Sequence, residues 1–253
     1  MSIANESELD QFIKEYPEIN MLEILMPDMN GIVRCKRIPR GEFGTFFRHG
    51  VKGPASTTLL NVRGEFCDEV DFAGLEGDPD KLIHPIANTL APITWLKSDT
   101  AQVLATFTEL DGSAALFDSR NILIKALQPL KAMNLKPIVA TELEFYLLKN
   151  GEGNVPEPLL GKIPGTQIDQ PGTQYAMPED LWDNDTFLED VRKACEVQNV
   201  PMTTVHSEFS PGQFEINLHH VDDPVSACDH AILLKRIVKG VAREHGMAAT
   251  FMA

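Results

Sequence analysis

No apolar run in this 253-residue sequence approaches the roughly 18 residues that a membrane-spanning helix needs. The first residues, through Asp10, are polar and acidic and lack a basic stretch, so no secretory signal is expected. Cysteine is scarce. Cys35, Cys67, Cys195 and Cys228 lie far apart with no C-x-x-C pair, the usage of reduced thiols in a cytoplasmic protein. Basic residues are outnumbered, 22 Lys and Arg against 37 Asp and Glu, for a net charge of −15. A nucleic-acid groove or an anionic membrane surface would repel such a chain, so neither is an expected partner. A phosphate-binding Gly-x-x-x-x-Gly-Lys-[Ser/Thr] loop is also missing, because Gly161-Lys162 is followed by Ile163 and lacks the upstream glycine. There is no internal repeat and no low-complexity tract.

What is present is the profile of a soluble globular protein, 43% hydrophobic and 23% charged, long enough for one large domain or two ordinary ones. A short helical lead over residues 1–17 precedes a mostly β segment. Residues 20–26 and 32–38 read as two strands joined by the tight turn Pro27-Asp-Met-Asn-Gly31. Further extended segments are expected at 56–62, 81–86, 89–96 and 102–107, with a Gly- and acid-rich loop over 63–80. The pattern changes near Asp111-Gly112. A helical stripe spans 119–134, with Ser119 as its cap and Pro129 as a kink or boundary. A long strand is expected over 136–148 and a second helical stretch over 179–197. Strands at 203–209 and 213–219 are joined by Ser210-Pro-Gly212, a long helix opens at Asp222-Asp-Pro224, and a last strand begins at Met247. The expected fold is α+β: a small domain at 18–110, then an antiparallel sheet with packed helices at 111–253.

Two segments concentrate carboxylates. In Thr141-Glu142-Leu-Glu144-Phe145 a strand turns Glu142 and Glu144 to one face, with Leu143 and Phe145 on the other. In Glu208-Phe-Ser-Pro-Gly-Gln-Phe-Glu215 the turn folds two strands so that Glu208 and Glu215 face one another. Taken singly, each glutamate is explained by the solvated face of a half-buried sheet. Taken together within apolar flanks, they would repel one another unless protonated or bound to cations, and all-oxygen sites suit Mg2+ or Mn2+. Residue chemistry leaves both readings open. His206 reads as an ordinary histidine.

In order along the chain, these motifs resemble the glutamine synthetase family. Glu142-Leu-Glu144 is similar to that family's E-x-E strand, and the Glu208-to-Glu215 segment to its E-x-x-x-G-Q-x-E. Met247-Ala-Ala-Thr-Phe-Met252 is similar to its strand leading into a Lys-Pro segment. Asp28-x-Asn-Gly31 and Lys36-Arg-Ile-Pro39 resemble its N-terminal β-grasp domain. The resemblance implies a β-grasp domain followed by the first part of the catalytic domain. It implies that Glu144, Glu208 and Glu215 hold one Mg2+ or Mn2+ near glutamate, that Glu142 contributes to a second ion on the ATP phosphates, and that His219 and His220 lie on the ATP side. The implied reaction passes through γ-glutamyl phosphate, which an amine attacks to form an amide. The implied assembly is a double-ring homo-oligomer.

Two departures from the family pattern qualify this. Ammonia-using members carry a Phe-Asp-Gly-Ser-Ser stretch, whose comparable region here, Lys52-Gly-Pro-Ala-Ser-Thr57, has no Asp. That points to a larger amine, and the motifs look most like the γ-glutamylputrescine (polyamine) branch. The family's Asn-Gly-Ser-Gly-x-His segment, its phosphate- and glutamate-holding arginines and a further metal-binding Glu are not in these 253 residues. The chain by itself is therefore expected to be inactive. The competing expectations are an ammonia-using glutamine synthetase, or a non-catalytic relative that binds metal or joins a ring.

Overall fold

A computed structural model describes residues 2–66, 77–150, 155–172 and 175–252. The chain divides between Lys136 and Pro137 into two units.

In the first unit, β1 (Met21–Pro27) and β2 (Val33–Pro39) form the expected antiparallel hairpin. Asp28 closes its turn. One carboxylate oxygen accepts from the Asn30 and Ile32 amides at 2.9 and 2.8 Å, and the other from the Arg34 guanidinium at 2.8 Å. Gly31 takes φ 72°, where a side chain would be strained. β1 also pairs in parallel with β6 (Thr100–Thr108). On its other edge β6 meets β4 (Asp80–Pro85) and the two-residue β5 (Ala91–Pro92), and β4 pairs with β3 (Val51–Pro54). The order β2-β1-β6-β4-β3, with a parallel pair between antiparallel arms, is the expected β-grasp sheet. The helices α1 (Glu6–Glu15) and α2 (Phe43–His49) send Leu9, Phe12, Phe43 and Phe46 into one core with Leu22 and Val103 of the sheet.

Several expectations for this unit change. The strand expected at 56–62 is a 3-10 turn at Ala55–Thr58. Asp78 takes both the amide and the hydroxyl of Ser56, at 3.0 and 2.6 Å, so that amide has no place in a ladder. The strand expected at 89–96 shrinks to Ala91–Pro92, since Pro92 has no N–H to give. α2 went unanticipated, although Phe43, Phe46 and Phe47 carry helical spacing. α3 (Ser119–Ala132) is capped by Asp118 rather than Ser119, and Pro129 sits in its last turn without breaking it. Asp118 also ties the helix to β6, accepting from Thr106 Oγ1 and the Phe107 amide, each at 2.7 Å. The loop expected over 63–80 lies mostly outside the described residues, as does Cys67.

The second unit is a four-stranded antiparallel sheet in the order β10-β7-β9-β8. β7 (Glu142–Lys149) starts later than the expected strand at 136–148. Ahead of it Val139 forms an isolated bridge with Val221, and the Thr141 carbonyl accepts from the Leu218 amide at 3.3 Å. The helical stretch at 179–197 is two helices, α4 (Pro178–Asp183) and α5 (Asp185–Val197), which meet at Asn184. β8 (Met202–Ser207) and β9 (Gln213–Leu218) flank the Ser-Pro-Gly turn. α6 (Pro224–Glu244) is capped by Asp223 with Pro224 in its first turn, and Gly246 leads into β10 (Met247–Thr250).

Alternation along the strands assigns the two faces. Phe145, Leu147, Phe214 and Ile216 are buried together with Phe187 of α5 and Leu234 and Ile237 of α6. Glu142, Glu144, Glu215 and Asn217 therefore point to the opposite face. Among the described residues, no helix is long and apolar enough to cross a membrane.

Candidate functional site

Strand register lines up the acidic groups. Glu144 of β7 sits opposite Glu215 of β9, and Glu215 sits opposite His206 of β8. Glu142 is opposite Asn217, one step along the same face. Glu208 follows β8 two residues beyond His206, and its amide donates to the Gln213 carbonyl at 2.9 Å to close the β8–β9 turn. The partner facing Glu215 across the β8–β9 ladder is thus His206 rather than Glu208, because Glu208 lies two positions further along, opposite Gln213 at the start of the five-residue turn.

The side chains converge nonetheless. His206 Nε2 lies 2.9 Å from Glu208 Oε1 and 3.8 Å from Glu215 Oε2. One donor atom from each of the three residues falls within 4.8 Å of the others. Glu208 is 9% exposed, so its side chain sits largely out of water. Neighbours orient these carboxylates: Asn217 Nδ2 donates to Glu215 Oε1 at 2.6 Å, and the Thr204 hydroxyl donates to Asn217 in turn. Gln213 Nε2 donates to Glu144 Oε2 at 2.6 Å, holding Glu144 one strand away from the cluster. Such a set of oxygen and imidazole donors suits a divalent cation.

Gly212 is what lets the turn lie close to β7. Its φ is 72°, and a Cβ there would stand 2.7 Å from the Leu159 carbonyl oxygen and 3.0 Å from that of Leu147. The Gly212 carbonyl in turn accepts from the Leu147 amide at 2.8 Å. Beside the cluster, an open cavity of about 340 Å3 is lined by Glu142, Glu144, Tyr146, Gln213, Lys235 and Phe251, among others. Tyr175 stacks on Phe209 at 4.7 Å between ring centroids, and its hydroxyl lies 3.3 Å from His206 Nε2.

The sequence placed Glu142, Glu144, Glu208 and Glu215 in one site, and the structure sets all four on one face of one sheet. His219 and His220 are exposed beyond the end of β9 and take no part in the cluster. The residue passed over in the sequence is His206. Its spacing of two from Glu208, in a strand, was the signal that both share a face.

Comparison with known proteins agrees with this architecture. The family described as "Glutamine synthetase, catalytic domain" matches residues 116–253. This chain belongs to the glutamine synthetase family. Gamma-glutamylputrescine synthetase PuuA of Escherichia coli (strain K12) is 34% identical over 258 residues, covering 99% of this chain and 53% of that protein. Glutamate–isopropylamine ligase of a Pseudomonas species is 30% identical, over 96% of this chain and 52% of that protein. A solved GmaS/ADP complex shares the fold at a TM-score of 0.76 and 21% identity, covering 96% of this chain and 51% of its own. The chain spans about half the length of the relatives it matches.

Proposed function

We propose that the chain belongs to an ATP-dependent ligase that joins an organic amine to the γ-carboxylate of glutamate. The observation that carries this reading is the set of carboxylates on one face of β7 and β9, with Glu208 just past β8, in a chain of the glutamine synthetase family. Glu208 and Glu215, with Glu144 from the next strand, are the groups that would hold one Mg2+ or Mn2+, and Glu142 faces a second. A bound ion would neutralise charge on the phosphoryl group passing from ATP to glutamate. The chain's own part is to aim these carboxylates and to shield them partly from water. Asn217 and Gln213 do the aiming. His219 and His220, exposed past the end of β9, are candidates for the ATP side.

The choice of an organic amine over ammonia rests on two features. Lys52-Gly-Pro-Ala-Ser-Thr57 supplies no carboxylate to attract ammonium. The relatives named for γ-glutamylputrescine and glutamate–isopropylamine chemistry use organic amines. We extend the reading to a cytoplasmic homo-oligomer in which the β-grasp unit meets a neighbouring subunit.

The test is an assay on the protein purified from the cells that make it, following ADP release with glutamate and a panel of amines. The expected result is ADP release requiring glutamate and an amine together, with the amide identified by mass. Turnover with ammonium alone would move the protein to the ammonia branch. ATP hydrolysis indifferent to glutamate would sink the ligase reading.

A further inference from the structure

We propose that His206 is a nitrogen donor to the ion at Glu208 and Glu215, and that this makes the site prefer transition metals over Mg2+. The inference rests on the metal-site reading above and adds to it a residue and a selectivity.

The geometry comes first. Donors bound at about 2.1 Å to one six-coordinate ion lie about 3.0 Å apart when adjacent and about 4.2 Å apart when opposite. His206 Nε2 is 2.9 Å from Glu208 Oε1 and 3.8 Å from Glu215 Oε2, so both separations fall near or within that range. All three donor atoms lie within 4.8 Å of one another, a gap that rotation of one carboxylate closes. No backbone movement is required.

Placement of the ring argues in the same direction. The His206 backbone is opposite Glu215 in the ladder, which directs its side chain onto the carboxylate face. Tyr175 packs edge-on against the imidazole at 5.5 Å and 77°, which limits its rotation. The nitrogen that faces the carboxylates is Nε2, which lies 2.9 Å from Glu208 Oε1 and 3.3 Å from the Tyr175 hydroxyl. A bound ion would take the Nε2 lone pair, and the contact with Glu208 would be exchanged for a shared ligand. Glu144, by contrast, is engaged by Gln213.

Selectivity follows from donor chemistry. Mg2+ is a hard ion that favours carboxylates and retained waters, and it gains little from imidazole. Mn2+, Co2+ and Zn2+ accept nitrogen readily, with affinity at N/O sites rising from Mn2+ to Co2+. A donor set of one imidazole and two or three carboxylates therefore favours the transition ions.

The experiment uses the full chain with Mn2+, Co2+ and Mg2+ as the probes. Pulsed electron-spin-echo spectroscopy of the Mn2+ complex reads directly bound 14N, and calorimetric titration reads Co2+ and Mg2+ affinity in wild type and His206→Gln. The expected result is nitrogen modulation in wild type that His206→Gln abolishes, with Co2+ affinity lowered at least about tenfold and Mg2+ affinity held within about twofold. Mn2+ binding without nitrogen modulation in wild type overturns the proposal, and does so without reference to any variant. An equal loss of Co2+ and Mg2+ affinity also overturns it, since His206 would then only position Glu208. If Glu208→Gln and Glu215→Gln leave Mn2+ binding intact, the metal-site reading itself has failed, and this inference with it.

Discussion

Neutralising Glu215 should stabilise the metal-free protein while removing its response to metal. Glu208 and Glu215 bring carboxylate oxygens within 4.8 Å of each other, with side chains only 11% and 14% exposed. At an effective dielectric of about 20, two unit charges at that separation repel by about 3 kcal/mol. Glu215→Gln removes this repulsion and keeps an oxygen to accept from Asn217. Exchanging a charged for a neutral hydrogen bond loses about 1 kcal/mol. The net gain is about 2 kcal/mol, which for a chain of this size raises the melting temperature by roughly 4–8 °C. Metal should stabilise only the wild type. Mn2+ at a hundred times its dissociation constant stabilises wild type by about 2.7 kcal/mol, and the variant should gain little. Thermal melts of chelator-treated protein, with and without Mn2+, measure both quantities. A metal-free Glu215→Gln protein that melts at or below wild type would refute the repulsion argument. A variant that keeps the whole Mn2+ shift would show that the ion binds elsewhere.

Other consequences can be measured directly. Phe145 is 1% exposed and packs against Phe187, Phe214 and Phe251, so Phe145→Ala should destabilise the second unit by about 3–5 kcal/mol in a urea titration. A loss below about 1 kcal/mol would mean that this core is not formed as described. Gly212→Ala places a methyl against the Leu159 and Leu147 carbonyls at a positive φ, so it should weaken metal binding by displacing the β8–β9 turn. Unchanged calorimetric affinity would count against the turn's role. Burial, opposed by the Ser207 hydrogen bond and helped by Asp183 and Glu179, raises the Asp180 carboxyl above its ordinary range. A raised carboxyl binds more protons folded than unfolded, so its contribution is fully present below pH about 3.8 and falls as pH climbs through the raised value. Asp180→Asn should therefore flatten stability against pH across that window, and parallel curves for the two proteins would contradict the assignment.

Much of the site was legible because a strand's period of two is rigid. Glu142 and Glu144 must share a face of their strand, and the same spacing of two pointed from His206 to Glu208, although Glu208 lies just past the end of β8. The hairpin at Asp28, the long helix after Pro224 and the β8–β9 turn were readable for a similar reason: turn and cap residues act through their own backbone. The misreadings fall where a distant side chain intervenes. Asp78 captured Ser56 and replaced a strand with a 3-10 turn, and Asp118 rather than Ser119 took the helix cap while also bonding β6.

Sequence alone determined which residues carry charge, which face of its own strand each occupies, and the family motif that groups them. It could not determine which residue stands opposite which. That depends on register between strands far apart in the chain, set by turn length, by the apolar face buried under α5 and α6, and by Gly212 against β7. Register set Glu142, Glu144 and Glu215 in order across one face, held Glu144 on Gln213, and brought His206 between Glu208 and Glu215. A histidine's role is decided by what lies within about 4 Å of its nitrogens, and only the folded sheet creates that neighbourhood.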